Sequence, residues 1–467
     1  MKKTNTLILA SIVIGLLGKV HAQSITGGGV TSLSLCSDST VWGWGNNASS
    51  QIGDGGQISG TNPKKASGLV NVIKIAAGSG YSMAITADSS VWTWGDNSYG
   101  NLGNGTYTKK LTPTKVASLN GSVFICGGYT HSLVIKKNGT VWAFGDNTFG
   151  QLGDGTTNGS NVPVQVSGLT GIVYVSAGRN FSLAVKNDGT LWAWGGNSYG
   201  QLGIGNTTSS STPIQVTSLS GITKAVAGNY FSLALKNDNT VYTWGANANG
   251  QLGNGTTTAA SSPAVLTTLS GIIAIDAGYY HCMALKNDGT VWTWGGNPSG
   301  QLGDGSQVQK TSPVKAAAIL DVREIASGPG SSHSMALKND GTVWTWGENS
   351  DYQLGYGGGS QWLTPKKVTA LTCQPAVLTS INNELEKKLG FIISPNPSSG
   401  EIQLSFPVNV QVQLIDLKIT DLLGKLMYSE KFFLGPDNHT INLSSFGDGI
   451  YFLQSDGLGS RKIIIHH

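Results

Sequence analysis

The sequence has little charge, little cysteine and no apolar segment long enough to span a membrane. Charged residues make up 12% of its 467 residues, whereas glycine occurs 66 times. Much glycine with little charge favours many tight turns between short strands. The longest apolar run, TLILASIVIGLLG near the N-terminus, is shorter than the roughly 20 residues that a transmembrane helix needs. The composition therefore indicates a β-rich protein without a membrane span.

Residues 1–22 have the pattern of a secretory signal peptide. Lys2 and Lys3 precede the apolar run, and Val20 and Ala22 are the small residues expected before a cleavage site. We expect cleavage before Gln23. Cleavage removes Lys2, Lys3 and Lys19, so that 26 of the 29 basic residues remain against 25 acidic ones. This near-neutral balance argues against nucleic acid or an anionic membrane as a partner.

An aromatic motif recurs seven times at a nearly constant interval. Successive copies lie 50 residues apart, except the last pair, which lies 52 apart because SGPGSSH (327–333) is expanded. The copies are VWGWG from Val41, VWTWG from Val91, VWAFG from Val141, LWAWG from Leu191, VYTWG from Val241, VWTWG from Val291 and VWTWG from Val343.

Each repeat unit contains four short segments with strand character. In the fourth unit these are IVYVSAG, the alternating FSLAVK, LWAWG after the turn NDGT, and TPIQV after a loop rich in glycine, asparagine and serine. A period near 50 residues made only of strands and turns is typical of a β-propeller. The pattern predicts an all-β fold, with a seven-bladed propeller over residues 23–373. We expect the two chain ends to complete one shared blade, because the first unit starts late and LTPKKVTAL (363–371) is left over.

The repeat resembles that of the RCC1 family, the regulators of chromosome condensation. The resemblance is carried by AGYYHCMALKNDGTVWTWGGNPSGQLGDG (277–305) and its six relatives, and it covers residues 23–373. It implies a seven-bladed propeller that binds protein partners. The nucleotide-exchange role of the eukaryotic family does not fit a chain with a signal peptide.

Residues that recur in every unit are expected to build the scaffold. Tryptophan occupies twelve of the fourteen positions flanking the middle of the aromatic motif, and we expect all fourteen side chains in the core between blades. The asparagine two residues after each motif suits a turn. His131, His281 and His333 share one repeat position, which separates them by blade and predicts buried structural histidines rather than metal ligands. We predict no metal site and no cofactor.

Catalytic signatures are weak. GNSYG (196–200) matches G-x-S-x-G but lies in a propeller loop rather than between a strand and a helix. The GDG loops at Asp54, Asp154 and Asp304 favour turns over calcium sites, since other units replace the aspartate. The propeller's two glutamates, Glu324 and Glu348, form no evident acid/base pair in sequence.

Function is expected where the units differ in exposed loops. The two residues after each AG differ between units and should all lie at one end of the ring. Units three to six present a crescent of candidate binding residues: Tyr129, Arg179, Asn180, Tyr230, Tyr279 and Tyr280. Tyrosine and arginine are enriched in binding hot spots. Two interpretations stay open, a binding surface and a set of side chains that merely closes the core.

The C-terminal segment indicates where the protein goes. After a linker at 374–390, residues 391–467 have the pattern of a small β-sandwich, with SPNPSSG, DLLGK and GIYFL followed by RKIII. These motifs resemble the C-terminal sorting domain of the type IX secretion system of Bacteroidota. The resemblance implies contact with that machinery and export across the outer membrane. The passenger is then released or attached to the cell surface.

The four cysteines allow one specific hypothesis. Cys36 and Cys373 lie near the two ends of the propeller, where a disulfide would latch the ring in an oxidising compartment. Cys126 and Cys282 are expected to be buried free thiols.

Two functions from different classes remain. The first is a non-enzymatic binding or adhesion scaffold, secreted or on the cell surface, that uses one propeller face to bind a protein or glycan and is a monomer. The second is a secreted enzyme, acting on polysaccharide, whose carboxylates converge in the central channel. The lack of an acid/base constellation outside the repeat favours the first.

Overall fold

The computed structural model describes residues 23–371 and 373, and in the C-terminal part residues 392–394, 401–405, 414–421, 426–433, 439–455 and 459–465. The chain divides into two compact units, Met1–Pro375 and Ala376–His467. Every secondary-structure element in the described residues is a β-strand. Within those residues, no helix has the length and apolarity required to cross a membrane. The predicted signal peptide and linker lie outside the described residues.

The first unit contains seven four-stranded antiparallel sheets, or blades, each made from consecutive strands. Blade 1 consists of β1 (Ser24–Gly27), β2 (Thr31–Leu35), β3 (Val41–Gly45) and β4 (Gly60–Lys65), and blade 2 of β5 (Val72–Ala77), β6 (Tyr81–Thr86), β7 (Val91–Gly95) and β8 (Lys110–Lys115). Blade 3 consists of β9 (Ser122–Gly127), β10 (His131–Lys136), β11 (Val141–Gly145) and β12 (Ser160–Gln165), and blade 4 of β13 (Ile172–Ala177), β14 (Phe181–Lys186), β15 (Leu191–Gly195) and β16 (Ser210–Gln215). Blade 5 consists of β17 (Ile222–Ala227), β18 (Phe231–Lys236), β19 (Val241–Gly245) and β20 (Ala260–Val265), and blade 6 of β21 (Ile272–Ala277), β22 (His281–Lys286), β23 (Val291–Gly295) and β24 (Lys310–Lys315). Blade 7 consists of β25 (Val322–Ala326), β26 (His333–Lys338), β27 (Val343–Glu348) and β28 (Gln361–Lys367). The prediction of seven blades is confirmed.

The turn between the second and third strands shows why the sequence folds into these hairpins. In blade 4 the Gly189 N–H donates to the Lys186 carbonyl, and Gly189 has a φ of 79°, which glycine adopts without strain. The Asp188 carboxylate accepts hydrogen bonds from the Thr190 N–H and hydroxyl. The N-D-G-T sequence thus fixes the turn, and β14 pairs with β15 in the register that the turn sets.

The expectation of a shared blade was wrong. Blade 1 takes all four strands from the N-terminal part of the chain, and blade 7 takes all four from the C-terminal part. The short segment before the first motif is sufficient, because β1 needs only four residues. The ring closes instead through contacts between blades 1 and 7. The Gly27 N–H donates to the Ser327 carbonyl, and the Glu324 carboxylate accepts from Ser24 Oγ and the Ile25 N–H.

A disulfide joins Cys36 of blade 1 to Cys373 beyond blade 7, as hypothesised, with a Cα–Cα distance of 5.2 Å. Cys126 and Cys282 are free thiols. Cys282 is buried in the core, as expected, whereas Cys126 is only partly buried and lines the central channel. The channel position follows from its place on β9, since the first strand of each blade lies innermost.

Only half of the motif aromatics belong to the buried core between blades. The second aromatic of each motif is fully buried, and these side chains are Trp44, Trp94, Phe144, Trp194, Trp244, Trp294 and Trp346. The first aromatic of each motif is partly exposed, and in blades 2 to 7 it packs against a core cluster, so the expectation of full burial is met only in part. In blade 4 the Trp192 Nε1 donates to Thr190 Oγ1 of its own blade. It lies near the end of the hairpin, where solvent reaches the side chain.

The second tryptophan explains the G-Q-L-G sequence. Trp194 of blade 4 donates from Nε1 to the Gln151 carbonyl of blade 3 at 2.9 Å. Gly153 lies against the same indole, where a Cβ would come within 2.6 Å of Nε1. At ring closure, Trp44 makes the same contact with the Gln353 carbonyl of blade 7. Each blade therefore inserts one aromatic side chain into the loop of the preceding blade, and the seventh interface repeats the other six.

The repeated asparagines and histidines support the scaffold, as predicted. In blade 4 the buried Asn197 accepts the Leu202 N–H and donates to the carbonyls of Asn206 and Thr208, which fixes the long loop after the motif. His131, His281 and His333 are fully buried, and each contacts a serine of the next blade: Ser182, Ser334 and Ser32. Burial lowers the pKa of His131 to about 4 and that of the other two to about 3.

The second unit contains two sheets in the described residues. One has the order β29 (Ile392–Ser394), β30 (Glu401–Ser405), β33 (His439–Asn442); the other has the order β32 (Leu426–Phe433), β31 (Leu414–Asp421), β34 (Gly449–Ser455), β35 (Gly459–Ile465). Buried side chains from both sheets form one cluster, including Ile402, Ile441, Leu417 and Leu453. The strands are confirmed, and the β-sandwich stays a prediction.

Candidate functional site

The variable two-residue loops lie together at one end of the ring. In every blade, the residue after the motif glycine donates its N–H to the carbonyl of the second loop residue, as Gly196 does to Asn180. Loops of adjacent blades also bond directly, since the Tyr129 N–H donates to the Gly178 carbonyl. We call this end of the ring the loop face.

Arg179 joins four of the five other predicted site residues into one cluster. Its Nη1 donates to the Tyr279 hydroxyl at 2.9 Å, although these residues belong to blades 4 and 6. The guanidinium carbon lies 5.1 Å from the centre of the Tyr129 ring and 5.4 Å from that of Tyr230. The Tyr279 and Tyr280 rings meet edge to face at 4.2 Å. Tyr129, Arg179, Tyr230, Tyr279 and Tyr280 form what we call the tyrosine–arginine cluster.

The cluster is half-buried rather than fully exposed or enclosed. All five side chains, and that of Asn180, have intermediate accessibility. Partial burial raises the pKa of Tyr230 and raises that of Tyr280 to about 12, so both hydroxyls stay protonated and can donate hydrogen bonds at neutral pH. The cluster is thus partly covered and still presents polar groups to solvent, so both interpretations of the sequence stay open.

Asn180 is the predicted site residue that the structure does not bring into the cluster. Its carbonyl accepts the Gly196 N–H, a bond that belongs to the scaffold. Its side chain faces Gly196, where a Cβ would lie 3.5 Å from that of Asn180. Asn180 therefore borders the cluster, and its described contacts are with Gly196.

A depression of about 260 Å³ opens beside the cluster. Tyr129 and Tyr279 line one side, and Gly330 and Ser332 of the expanded seventh loop line the other. Gly330 lies close enough to the Tyr129 ring that a Cβ would come within 3.1 Å of it. The expansion in blade 7 therefore reaches across the ring and helps to shape the site.

Sequence analysis missed a second set of aromatic side chains on this face. Tyr99, Phe149 and Tyr199 follow the scaffold asparagine by two residues and are 50%, 44% and 49% exposed. Tyr199 lies 5.0 Å from the Tyr230 ring of the next blade, which links it to the cluster. Their sequence signal was available, since the other units carry small or polar residues at that position.

The central channel contains charged side chains that the repeat pattern does not predict. Innermost strands line a cavity of about 320 Å³ that includes Lys74, Lys224, Asp276 and Glu324. The Asp276 carboxylate accepts the Ala277 and Ser327 N–H groups, and Lys224 donates to the Ile275 carbonyl. Burial raises the pKa of both carboxyl groups and lowers that of Lys74. Asp276, Glu324 and Lys224 are thus bonded to the backbone of the channel wall, whereas Lys74 lies 4.0 Å from the centre of the Phe124 ring.

The acidic loops act as turns. Asp304 accepts hydrogen bonds from the Ser306 N–H and hydroxyl and pairs with Lys310, and Asp54 likewise accepts the Gly56 N–H and pairs with Lys64. These bonds keep the pKa of both carboxyl groups low despite burial. Among the described residues, no group of three or more histidine, cysteine, aspartate or glutamate side chains has an arrangement able to hold a metal.

Seven four-stranded blades, each inserting an aromatic side chain into the preceding loop, define a β-propeller of the kind predicted. The model of the RCC1-like domain matches residues 3–225 and 156–384. The chain belongs to the RCC1-like domain family. No curated protein sequence matches the chain significantly.

Solved structures share the fold at low identity. Prp20p of Saccharomyces cerevisiae, studied for its binding to Gsp1p and histones, is 23% identical over 70% of this chain and 86% of its own, with a TM-score of 0.63. Yeast RCC1 (Prp20) bound to Kap60 is 22% identical over 75% and 86% of the two chains, with a TM-score of 0.64. Human WBSCR16 is 22% identical over 71% and 94%, with a TM-score of 0.63.

The C-terminal unit matches a second family model. Residues 393–466 match the secretion system C-terminal sorting domain. The match confirms the resemblance to the type IX sorting domain, and with it the localisation: the protein is exported to the cell surface or the medium. It is a secreted protein with a propeller domain.

Proposed function

We propose that the protein is a non-enzymatic binding scaffold that holds a protein or glycan partner on the loop face of its propeller. The observation that carries this proposal is Arg179. Its guanidinium is held by tyrosines from three other blades and, within the described residues, forms no ion pair. A fixed cation with spare N–H donors beside a depression is suited to recognising a partner.

The physical case rests on preorganisation. Tyr129, Tyr230 and Tyr279 fix the guanidinium before any partner arrives, so binding costs little side-chain entropy. Tyrosine and arginine at the centre of a surface are the residue types that dominate interface energies. The yeast relative's binding to Gsp1p and histones supports a binding role for a propeller of this family.

A secreted enzyme with a site in the channel is the second candidate. It is favoured by the raised pKa of Asp276 and Glu324, since a general acid must hold its proton near neutral pH. Against it, both Asp276 oxygens accept backbone N–H groups, which explains the residue structurally. Release of reducing sugar from a polysaccharide, lost in Asp276→Asn, would favour the enzyme.

Replacing Arg179, Tyr230 and Tyr280 together by alanine is expected to abolish partner capture. Each truncation of a hot-spot residue costs about 2 kcal/mol or more, so the triple variant should bind at least ~100-fold more weakly. The measurement is a pull-down with the chain from Gln23 to His467, against outer-membrane and culture-medium fractions.

The matched control is Arg323→Ala. Arg323 is the propeller's other arginine, and it is exposed at the start of β25, away from the loop face. The control removes the same charge and should capture the partner normally, while anything held by the C-terminal unit should be captured by all variants. Equal capture by the triple variant, with its thermal unfolding unchanged, would move the site off the loop face.

A further inference from the structure

We infer that the loop face binds an acidic glycan, with a carboxylate or sulfate group of the sugar chain on Arg179. This inference rests on the proposed function and names the class of ligand. It is carried by a guanidinium without an ion pair, a buried amide without a hydrogen-bond partner among the described residues, the lack of an acid after the motif glycine in blades 4 to 6, and the exposed aromatic rings.

The guanidinium has donors to spare. Arg179 uses Nη1 for Tyr279, and its remaining N–H groups face no carboxylate within 4.0 Å among the described residues. Carboxylates and sulfates match the planar fork of arginine, and such bonds are roughly twice as strong as those between neutral groups. The surrounding tyrosine faces keep the cation in place without neutralising its charge.

Asn229 supplies the second, independent observation. It has the same loop position in blade 5 that Arg179 has in blade 4 and Tyr279 has in blade 6, so it lies between them around the ring. Its side chain is 2% exposed, and neither its amide oxygen nor its amide nitrogen has a hydrogen-bond partner among the described residues. Buried amides are normally paired, so an amide without a partner in the loop between those of Arg179 and Tyr279 points to a ligand contact.

The charge pattern of the neighbouring loops sets the position of the anion. The residue after each motif glycine borders the variable loop of its blade. These residues are Asn46, Asp96, Asp146, Gly196, Ala246, Gly296 and Glu348. Blades 4 to 6 thus carry small neutral residues where blades 2, 3 and 7 carry acids. Arg179 belongs to blade 4 and so lies where these positions carry no acid. Gly296 also makes room for Tyr280, because a Cβ at Gly296 would lie 3.0 Å from the Cβ of Tyr280.

The apolar side chains of this sector favour a sugar over a peptide. Tyr199, exposed beside Tyr230, and Phe149, exposed near Gly196, are flat rings, and no large aliphatic side chain is exposed among the variable loops of blades 3 to 6. A ring face fits the C–H face of a pyranose, whereas peptides are commonly held by aliphatic pockets or a free strand edge. Tyrosine hydroxyls and asparagine amides both donate and accept, as sugar hydroxyls require.

The test measures binding of the chain from Gln23 to His467 to four polymers: polygalacturonate, dextran sulfate, neutral dextran and poly-L-glutamate. We expect binding to at least one of the two acidic glycans, with affinity that falls as salt rises. Arg179→Ala should weaken it at least ~10-fold, the equivalent of about 1.4 kcal/mol, and Arg323→Ala should not. Asn229→Ala should weaken binding without lowering the unfolding temperature, because its amide has no hydrogen-bond partner in the part of the chain that the structure describes.

The other outcomes overturn the inference. Binding to poly-L-glutamate alone would assign the site to an acidic peptide, and equal binding to neutral dextran would remove the anion from the recognition. Unchanged affinity in Arg179→Ala, or no binding to any polymer, would also contradict it. If a protein is captured through the loop face while no glycan binds, the glycan inference fails and the proposed function stands.

Discussion

Replacing Trp194 by alanine is expected to lower the free energy of unfolding of the propeller by about 3–5 kcal/mol. The indole is fully buried between blades 3 and 4, and its N–H is bonded to the Gln151 carbonyl. Truncation leaves a cavity at an interface and removes one of the two hydrogen bonds that the Gln151 carbonyl accepts, since the Ser182 hydroxyl also donates to it. Denaturant unfolding followed by tryptophan fluorescence measures the loss.

Trp192→Ala is the matched control, since it removes the same side chain from the same strand. Trp192 is partly exposed and bonded only within its own blade, so the expected loss is about 1 kcal/mol. Trp194→Phe, which copies Phe144 of blade 3, should fall between them because it keeps the ring and loses the hydrogen bond. Equal losses for Trp192→Ala and Trp194→Ala would contradict the assignment of the second aromatic to the core.

Acid is expected to destabilise the propeller through its buried histidines. The folded pKa of His131 is about 4, below the ordinary value of 6.5. Above pH 6.5 both the folded and unfolded states are neutral at this residue, and as pH falls towards 4 only the unfolded state gains the proton. Between pH 7 and pH 4.5 this one side chain should lower the free energy of unfolding by ~2–3 kcal/mol.

His131→Phe isolates this contribution. Blades 4 and 5 already have phenylalanine at this position, as Phe181 and Phe231, so the substitution copies a packing that the ring contains. Ser182 loses its contact with the imidazole but keeps its bond to the Gln151 carbonyl. Denaturant titrations at pH 7 and pH 4.5 should show a smaller acid loss in the variant. The same loss in both proteins would refute the assignment.

Repetition made most of the fold predictable. Seven copies of one motif fixed the blade count, and the N-D-G-T turn with alternating FSLAVK fixed the strands of each blade. The repeat did not reveal how the ring closes, because β1 has only four residues and carries no motif. The different burial of the two motif tryptophans was also not predictable from the repeat. They lie two residues apart on the same face of the strand and differ only in their distance from the end of the hairpin.

The site was predictable in outline, because variable loops on a repeated frame are easy to find. The contacts among the loop residues were not predictable, since the hydrogen bond from Arg179 to Tyr279 spans two blades and 100 residues. Asn229 gave no sequence signal, because a lost hydrogen-bond partner is a property of packing alone. The channel charges could have been found, because Lys74, Lys224 and Asp276 each interrupt a largely apolar inner strand. Glu324 was named in the sequence, but its place in the channel was not predicted.

Site-specific photo-crosslinking can show whether the proposed partner binds at the loop face. One chain carries the crosslinking residue in place of Tyr199, which is 49% exposed beside the tyrosine–arginine cluster, and another carries it in place of Val173, which is 54% exposed at the opposite end of the same blade. We predict that the partner is crosslinked from position 199 and not from position 173. Crosslinking from 173 alone would contradict the account.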